Sequence, residues 1–485
     1  MTREKISLAL DLGSSAFKLL LYSSKRGQIL CTEHPFSTTY EEGGRVEHNP
    51  EELWPLIYRE LDNLLSSLPK EDAPSTLGIS TQRESVVIWE KDTGKELSSI
   101  VSWQDTRTDS LLEDFSREQQ ELIWSRTGLK LSSYCSAIKF SYLLKNLALP
   151  SNYLLGTLDS WLAYKLSKGR YFVTDYTSAS RTALFNLETL KWDGEICSLF
   201  GVDPSSLPNL VENNQEIGEI EIGSHSLTLQ GLIGDQQSSL YSVYRNNAQR
   251  PSMGGREKSL AALTYGTGVF LLRLLPEDTN FKEIISKSSY EGPLIVTIAW
   301  KNKDEGVRFA LELSLSNCGQ ALNWISRTLD IDLQTPLVKE RRNLPYCFPF
   351  FSGRWFLSEN RHLKSGFLGL NLETTKSEVL TSFYEGLAFS IRKGLELVGI
   401  DYSSCLSVGG GMTRSQEFLE LQSSYLGTSL SRDCSMHMSA LGASLLSIVD
   451  EVGKNTEEVI SPKRDLEAYI SCRYKNWLNY LDSLN

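Results

Sequence analysis

The segment Gly234-Asp235-Gln236-Gln237 is the most informative part of this chain for chemistry. It follows Leu229-Gln230-Gly231-Leu232-Ile233, an apolar run that predicts a buried strand with one polar interruption. A strand that ends in glycine and delivers a carboxylate and two amides can form a reactive site, in which Asp235 serves as a general base. The alternative is an Asx turn or a helix cap at Asp235, which this segment taken alone would favour.

Two other segments share a pattern of strand, small-residue turn and strand. The first covers 6–22 with the turn Gly13-Ser14-Ser15, and the second covers 260–274 with the turn Gly266-Thr267-Gly268. Small residues let backbone N–H groups and hydroxyls approach phosphate oxygens closely. One such segment is usually only a hairpin. Two of them, opening the two halves of the chain, predict a duplicated domain that holds a phosphate chain between the copies.

The remaining pattern predicts strands and helices around these segments. Strands are predicted at 77–81 and 85–89, helices at 50–66, 136–147, 157–167, 377–398 and 413–426. The first helix has a strong start, with Asn49 as N-cap and Pro50 at the first helical position. The polar segment 245–258 is typical of a solvent loop or linker. We therefore predict an N-terminal domain over 1–250 and a C-terminal domain over 251–485.

Composition indicates a soluble globular protein with more than one core. The chain has 485 residues, of which 40% are hydrophobic and 22% charged. The charge of 49 minus 60, or −11, with no long basic run, argues against nucleic acid or an anionic membrane as the main partner. A nucleotide can still be held locally by backbone N–H groups and Mg²⁺.

Cysteine usage and the amino-terminal sequence indicate the compartment. The eight cysteines are scattered without Cys-x-x-Cys pairs, which predicts free thiols in a reducing cytosol. Asp11 interrupts the first apolar run, so that run is predicted to be a strand and not a signal peptide. No apolar stretch approaches the length of a membrane span. We expect a cytoplasmic enzyme without membrane insertion.

Six blocks, in order along the chain, resemble the FGGY carbohydrate kinases, and within them the members that phosphorylate glycerol. The blocks are 82–84 with 102–105, 127–134, 156–162, 174–182, 234–237 and 265–268. Residues 134–146 and 365–385 also follow the two family signatures, and the resemblance extends from Asp11 to about Ser447. It implies an α/β fold of two actin-like (ribonuclease H-like) domains with an interdomain cleft. It also implies transfer of the γ-phosphate of ATP to a hydroxyl of glycerol.

The resemblance implies a role for each matched residue. Asp235 matches the catalytic base, and Asp11, with Asp235 beside it, matches the carboxylate that holds the hydrated Mg²⁺. The residues matching the positions that contact glycerol are Arg83, Glu84, Trp103, Tyr134, Asp235, Gln236 and Phe270. The residues matching the nucleotide-binding positions are Gly13, Ser14, Ser15, Lys18, Gly266, Thr267, Gly319, Asn323, Gly410, Gly411 and Ser415. Members of the family vary in oligomeric state, so the partners implied are glycerol, ATP and, as an open alternative, further copies of the chain.

Three departures from the family keep alternatives open. Gly409 stands where the family usually has Asp, the 351–364 segment replaces a usual Ala-Arg-Gly turn, and 218–229 lacks the loop through which some members bind an allosteric sugar bisphosphate. The first two motivate a catalytically weak relative that binds nucleotide or polyol. A kinase of the same family acting on another small polyol or sugar is the other alternative. The intact Asp235 favours an active kinase, because a pure binding protein has no need of a base.

Overall fold

The computed structural model describes residues 4–248, 260–290, 292, 294–315, 318–338, 344–350, 365–402, 405–433, 437–448 and 457–483. The substituted segment 351–364 and the predicted domain boundary at 250 lie outside these ranges. Within them, no helix is long and apolar enough to cross a membrane. No disulfide joins the cysteines of the described ranges.

The first half combines fifteen strands and seven α-helices within residues 4–248. The strands are β1 Ile6–Leu12, β2 Ala16–Ser23, β3 Gly27–Pro35, β4 Thr39–Glu41, β5 Arg45–His48, β6 Thr76–Thr81, β7 Val86–Glu90, β8 Ile100–Val101, β9 Tyr153–Thr157, β10 Val173–Asp175, β11 Phe185–Asn186, β12 Lys191–Trp192, β13 Asn209–Val211, β14 Glu216–Ile222 and β15 His225–Gly234. The helices are α1 Pro50–Ser67, α2 Arg117–Thr127, α3 Ser136–Asn146, α4 Leu158–Leu166, α5 Tyr176–Ala179, α6 Gly194–Leu199 and α7 Asp235–Ala248.

The second half is built in the same way. Its strands in the described ranges are β16 Ala261–Tyr265, β17 Val269–Leu274, β18 Ile295–Asn302, β19 Gly306–Leu315, β20 Tyr346–Phe348, β21 Gly366–Leu368, β22 Leu406–Gly409, β23 Leu430–Asp433 and β24 Glu457–Ile460. The helices there are α8 Phe281–Lys287, α9 Cys318–Leu329, α10 Lys376–Leu397, α11 Gln416–Leu426, α12 Met438–Ser447 and α13 Glu467–Ser483.

The main sheets of the two halves repeat one pattern of strand directions. In the first, the order is β3-β2-β1-β6-β15-β14, with β1 antiparallel to β2 and parallel to β6. In the second, the order is β18-β19-β17-β16-β22-β23-β24, with β16 antiparallel to β17 and parallel to β22. Both sheets continue with a further parallel pair and end on an antiparallel strand. The duplicated hairpins predicted from the sequence therefore occupy equivalent places in two copies of one sheet.

The predicted helices are present, with adjusted ends. Asn49 caps α1 as expected, accepting a hydrogen bond from the backbone N–H of Glu51. A capping box that begins at Thr375 starts α10 within a residue of its predicted start. The helix predicted at 413 begins only with α11, because residues 411–414 form a single 3₁₀ turn and Ser415 is the N-cap of α11.

The predicted start of the polar linker, at residue 245, is too early. Residues 245–248 continue α7, where the Arg245 guanidinium donates to the backbone carbonyls of Leu445 and Ile448. Sequence patterns also did not predict α2, α5, α6, α8, α9, α12 or α13. The last of these buries Tyr474 and Trp477 in the core of the second half, so the carboxyl-terminal segment is structural.

Two helices lie between the main sheets and pack crosswise. Helix α7 follows β15 of the first half but packs against β16, β17 and β18 of the second. Helix α12 follows β23 of the second half but packs against β1, β2, β6 and β15 of the first. The two helices touch at Gly442, where a Cβ atom would lie 2.0 Å from the Ser238 carbonyl oxygen. Glycine is therefore required at this crossing.

Candidate active site

A cavity of about 1340 Å³ lies between the halves, next to the two hairpin turns. It is lined by every residue that the sequence predicted for substrate, nucleotide or metal, with one exception. The exception is Ser415, whose hydroxyl caps α11 by accepting from the backbone N–H of Phe418 at 3.2 Å. The cleft thus brings together residues from the two ends of the sequence, such as Asp11 and Gly411.

Asp235 is placed by the junction of β15 and α7. It is the first residue of α7, and its Oδ1 accepts from the Gln236 backbone N–H at 2.8 Å. Asp235 therefore lies inside the helix at its first position, and this contact to the next residue is not an N-cap contact, which would reach two or three residues further on. About 24% of the side chain remains exposed, and the Arg83 Nε lies 3.5 Å from Oδ1. Burial raises the pKa of Asp235 to about 7; Arg83 opposes this rise, whereas Asp11 and Glu84 add to it.

Gly234 lets the strand deliver Asp235 beside Arg83. Its backbone N–H donates to the Thr177 hydroxyl at 2.8 Å, and that hydroxyl in turn donates to the buried Asp175 carboxylate. A Cβ at position 234 would lie 2.9 Å from the Arg83 side chain. A larger residue would displace the arginine. Steric crowding by Arg83 therefore explains why this strand ends in glycine.

The turn between β6 and β7 presents Arg83 and Glu84 to the cleft. Glu84 has a φ of 62°, an uncommon conformation for a residue with a side chain. Its carbonyl accepts from the Ser136 hydroxyl at 3.2 Å, and its Oε1 accepts from the Arg181 Nε at 2.6 Å. These two contacts hold the unusual turn in place.

Sequence reasoning missed Glu312, which forms the strongest contact to Arg83. Its two carboxylate oxygens accept from the two terminal nitrogens of Arg83, at 2.6 and 3.1 Å. Arg181 lies 3.3 Å from the same carboxylate. A usable signal was present, because Glu312 is the one charged residue in the otherwise apolar stretch 309–313. Such a charge in a buried strand requires a partner.

Three aromatic side chains form an apolar wall of the cleft. The Trp103 ring lies 5.5 Å from that of Tyr134 and 6.0 Å from that of Phe270, measured between centroids. The Trp103 indole N–H donates to the Ser14 hydroxyl at 2.9 Å, which ties the wall to the first hairpin turn. Behind it, the buried Lys139 donates to the Tyr134 carbonyl at 2.7 Å. Burial lowers the pKa of Lys139 to about 8, although Glu84 counteracts this.

Asp11 has the geometry of a carboxylate that can hold a hydrated cation. It lies opposite Lys18 in the β1–β2 hairpin, with Nζ 4.0 Å from Oδ2, and Oδ2 accepts from the Ser439 hydroxyl at 2.6 Å. Oδ1 is buried and has no hydrogen-bond partner in the described part of the chain. Within the same ranges no cluster of three or more metal-ligating side chains occurs. A cation at Asp11 would complete its shell with water and phosphate oxygens, as Mg²⁺ does.

The glycine turns of the second half present backbone to the cleft. The Gly319 N–H donates to the Thr267 carbonyl at 3.0 Å, and a Cβ at 319 would lie 2.6 Å from the Gly266 carbonyl oxygen. Gly410 has a φ of +98°, and a Cβ there would lie 2.3 Å from the Tyr265 carbonyl oxygen. Both positions require glycine, and both keep main-chain atoms at the surface of the cleft.

At Gly409, where the sequence departs from the family pattern, a neighbouring side chain fills the space. A Cβ at position 409 would lie 2.6 Å from the Met438 sulfur. Met438 thus occupies the space into which a side chain at 409 would project. An Asp at this position would have to displace the methionine.

The third departure, the 218–229 segment, forms the β14–β15 hairpin, with a register shift between Glu216 and Gly218. A tight turn at Gly223 connects the two strands, and this glycine has a φ of +55°. A short β-hairpin therefore occupies the whole of this segment.

Polar contacts join the two halves at the edge of the cleft. The Tyr40 hydroxyl accepts from the Gln320 side-chain amide at 3.4 Å, and the Arg414 Nη2 lies 3.5 Å from a Glu33 carboxylate oxygen. All four side chains also border the cavity together with the hairpin turns. These contacts add to the packing of α7 and α12 in joining the two halves.

Comparison with known proteins identifies relatives of the whole chain. Residues 6–240 match the model of the FGGY family of carbohydrate kinases, N-terminal domain, and residues 261–450 match that of the C-terminal domain. Glycerol kinase of Natranaerobius thermophilus is 30% identical over 463 residues, covering 91% of this chain and 89% of that protein.

Solved structures give the same assignment at the level of the fold. Plasmodium falciparum glycerol kinase with ADP superimposes with a TM-score of 0.82 at 25% identity, covering 99% of this chain and 98% of that one. Gluconate kinase of Lactobacillus acidophilus has a TM-score of 0.81 at 17% identity, covering 99% and 98%. The second similarity concerns the fold alone, so the fold does not decide which alcohol is the substrate.

Proposed function

The chain belongs to the FGGY family of carbohydrate kinases and is a phosphotransferase with an alcohol group as acceptor, and we propose that its substrate is glycerol, phosphorylated by ATP to glycerol 3-phosphate. The observation that carries the choice of glycerol is the single wall of the cleft where four polar side chains meet three aromatic rings. The members of this set are Arg83, Glu84, Asp235, Gln236, Trp103, Tyr134 and Phe270.

The chemistry of this wall suits a small triol. Each hydroxyl needs a donor and an acceptor, and guanidinium, carboxylate and amide groups supply both. The carbon atoms need an apolar surface, which the rings around Trp103 supply. The Gln236 Oε1 is buried without a hydrogen-bond partner in the described ranges, so it can accept from a substrate hydroxyl.

Asp235 has the properties of the base in this proposal. In-line phosphoryl transfer needs a positioned hydroxyl and a group that takes up its proton. A carboxylate with a pKa of about 7 is ionised in a large fraction of molecules at neutral pH and still accepts a proton readily. Arg83, whose Nε lies 3.5 Å from Oδ1, helps to hold the Asp235 carboxylate in its place in the substrate wall.

ATP is proposed to bind along the two hairpin turns and the Gly410-Gly411 segment, with its adenosine near Gly319 and Asn323. The main-chain groups of these glycine turns and the Lys18 ammonium suit an anionic chain of phosphates. Mg²⁺ would be held at Asp11, next to Asp235, and would neutralise charge on the phosphates. The unpartnered Oδ1 of Asp11 fits this assignment.

The decisive experiment measures ADP release from Mg·ATP by the full-length chain, with glycerol, other small polyols, gluconate, xylulose and no acceptor. Glycerol-dependent release that exceeds every other acceptor is the expected result. Release with a different polyol or sugar would retain the kinase and overturn the choice of glycerol. Nucleotide binding without release by any acceptor would support the weakly catalytic relative and direct attention to Gly409 and Met438.

A further inference from the structure

We propose that Glu312 is a positioning residue for the substrate: a carboxylate of the second half that fixes the orientation of Arg83 in the first. This role rests on the proposed function, because it acts through an arginine assigned to the glycerol wall. Glu312 itself does not need to touch the substrate. It contacts Arg83 through both carboxylate oxygens, the geometry that restrains a planar guanidinium most strongly.

The bidentate contact decides which nitrogen of Arg83 faces the reaction. With both terminal nitrogens directed to Glu312, the Nε lies 3.5 Å from Asp235 and 4.0 Å from Glu84. The Arg83 Nη1 also donates to the Gln237 Oε1 at 3.3 Å. Without Glu312 only this neutral contact would restrain the terminal nitrogens, and the guanidinium could turn to form a closer ion pair with Asp235. The same carboxylate attracts Arg181, which donates to Glu84. One buried charge therefore organises two arginines and, through them, both acidic groups of the wall.

Because the network is buried and charged, losing one of its members is costly. The side chains of Arg83 and Glu312 are 2% and 0% exposed. Burial alone would raise the pKa of Glu312, but Arg181 and Arg83 outweigh it and hold the pKa below its usual value, so the carboxylate stays charged. Removing one member of a buried ion pair leaves the other without compensation. Loss of the Glu312 charge would therefore leave the Arg83 charge uncompensated and weaken the binding of the substrate that Arg83 contacts.

The pairing of strands in the second half places the Glu312 side chain on the sheet face that meets Arg83. Glu312 on β19 is opposite Leu272 on β17, two residues from Phe270, so both side chains project from one face of the sheet. The Arg83 guanidinium carbon lies 5.5 Å from the Phe270 ring centroid. The second half thus offers Arg83 a carboxylate and an aromatic face together.

The β18–β19 pair that carries Glu312 is docked on the first half. Asn213 accepts from the backbone N–H of Lys301 at 2.7 Å and donates its own backbone N–H to the Lys301 carbonyl at 2.8 Å. The Thr297 hydroxyl lies 3.0 Å from that of Ser180. Glu312 therefore comes from the second half in sequence but is held against the substrate wall by contacts of its own hairpin.

The test is a double-mutant cycle on the full-length enzyme with Glu312→Gln and Arg83→Ala. Glu312→Gln keeps the shape of the side chain and removes its charge. We expect it to raise the KM for glycerol on the order of tenfold, because the charge-assisted contact that orients Arg83 is lost. The KM for ATP should change by less than about twofold. In the Arg83→Ala background the same substitution should change the glycerol KM by less than about twofold, because its target is gone.

The matched control is Glu385→Gln, which breaks another buried bidentate pair, with Arg473, away from the cleft. It should lower the unfolding temperature and leave the glycerol KM unchanged, which separates positioning from general stability. A Glu312→Gln enzyme with the wild-type glycerol KM, or effects of the two substitutions that simply add, would overturn this role alone. A wild-type chain that neither binds nor phosphorylates glycerol would overturn the proposed function, and this role with it.

Discussion

The two halves present the same order and direction of strands to the cleft, yet they furnish it with different chemistry. At the first hairpin and the strand ends beside it lie Asp11, Lys18, Arg83 and Asp235, all charged. At the equivalent hairpin and strand ends of the second half the cleft is bordered by glycines, which expose main-chain atoms. These glycines are Gly266, Gly268, Gly409, Gly410 and Gly411, and Gly319 in the first turn of α9 lies beside them.

This difference indicates how a duplicated fold can divide one reaction. Charged side chains are suited to the step in which a proton moves and charge develops. Glycine turns are suited to holding a phosphate chain, because they bring backbone N–H groups close without side chains in between. Glu312 joins the two halves, since it is a buried charge that the second half supplies to the substrate wall of the first.

The largest expected effect comes from removing the proposed base, Asp235, from the charged half. Asp235→Asn should lower kcat by about 10²–10⁴-fold, because an amide cannot take up the hydroxyl proton. Binding of glycerol and ATP, measured by calorimetry, should be nearly unchanged, since the shape and hydrogen-bonding positions remain. Turnover close to the wild-type rate would remove Asp235 from the role of base.

A substitution in the glycine half should act on the other substrate. Gly410→Ala introduces a Cβ that would lie 2.3 Å from the Tyr265 carbonyl oxygen, in a backbone conformation that alanine rarely adopts. We expect the KM for ATP to rise about tenfold or more, because the displaced turn would move the main-chain groups proposed to contact the phosphates. The glycerol KM should change much less, and steady-state kinetics with each substrate varied in turn measures both.

The control for this substitution is Gly427→Ala, at the end of α11. Its φ of +74° is also unfavourable for alanine, but open space surrounds the added methyl group. It should lower stability without changing the KM for ATP. If both alanine variants raised that KM alike, the effect would be one of stability and the division between the halves would be weaker.

Changing the pH should affect activity through Asp235, the proposed base of the charged half. Because the pKa of Asp235 is about 7, the carboxylate becomes protonated below that pH and can no longer accept the substrate proton. We expect kcat/KM for glycerol to fall with decreasing pH, about tenfold per unit once below pH 7. The profile is measured at saturating ATP with the coupling enzymes in excess at every pH. A flat profile between pH 5 and 7 would contradict the assignment.

The smallest expected effect on activity concerns Ser415, the predicted nucleotide residue that does not line the cavity. Its hydroxyl caps α11, so Ser415→Ala should cost about 0.5–2 kcal/mol of stability and leave the KM for ATP unchanged. Denaturant unfolding and steady-state kinetics test the two parts separately. A clear increase in that KM would return Ser415 to the nucleotide site.

Local sequence patterns were sufficient to predict the main elements that position the site. The hairpin turns at 13–15 and 266–268, the capped start of α1 and the strand before Asp235 were all predictable, because glycine, proline and capping residues act over a few positions. The family and its fold followed from the order of motifs along the chain. These features depend on residues that are neighbours in sequence.

The features that were missed depend on contacts between distant segments. Glu312 looks like an isolated charge until the structure brings Arg83 and Arg181, more than 100 residues away, to its oxygens. Ser439 likewise reaches Asp11 only because α12 crosses into the first half. Gly409 looked like a lost functional residue, whereas its space is occupied by Met438. No periodicity or spacing in the sequence encodes such pairings.

The crossing of α7 and α12 has a consequence for how the protein is made. The face of the first sheet at β1 and β6 is covered by residues 438–447, and Gly78 on β6 leaves no room for a Cβ beside the Ala443 carbonyl. During synthesis, residues 438–447 emerge long after this apolar face, so the face stays uncovered by them until then. The amino-terminal half should therefore be insoluble or chaperone-bound when translated by itself, and a fragment containing 438–447 supplied in trans should restore its folding.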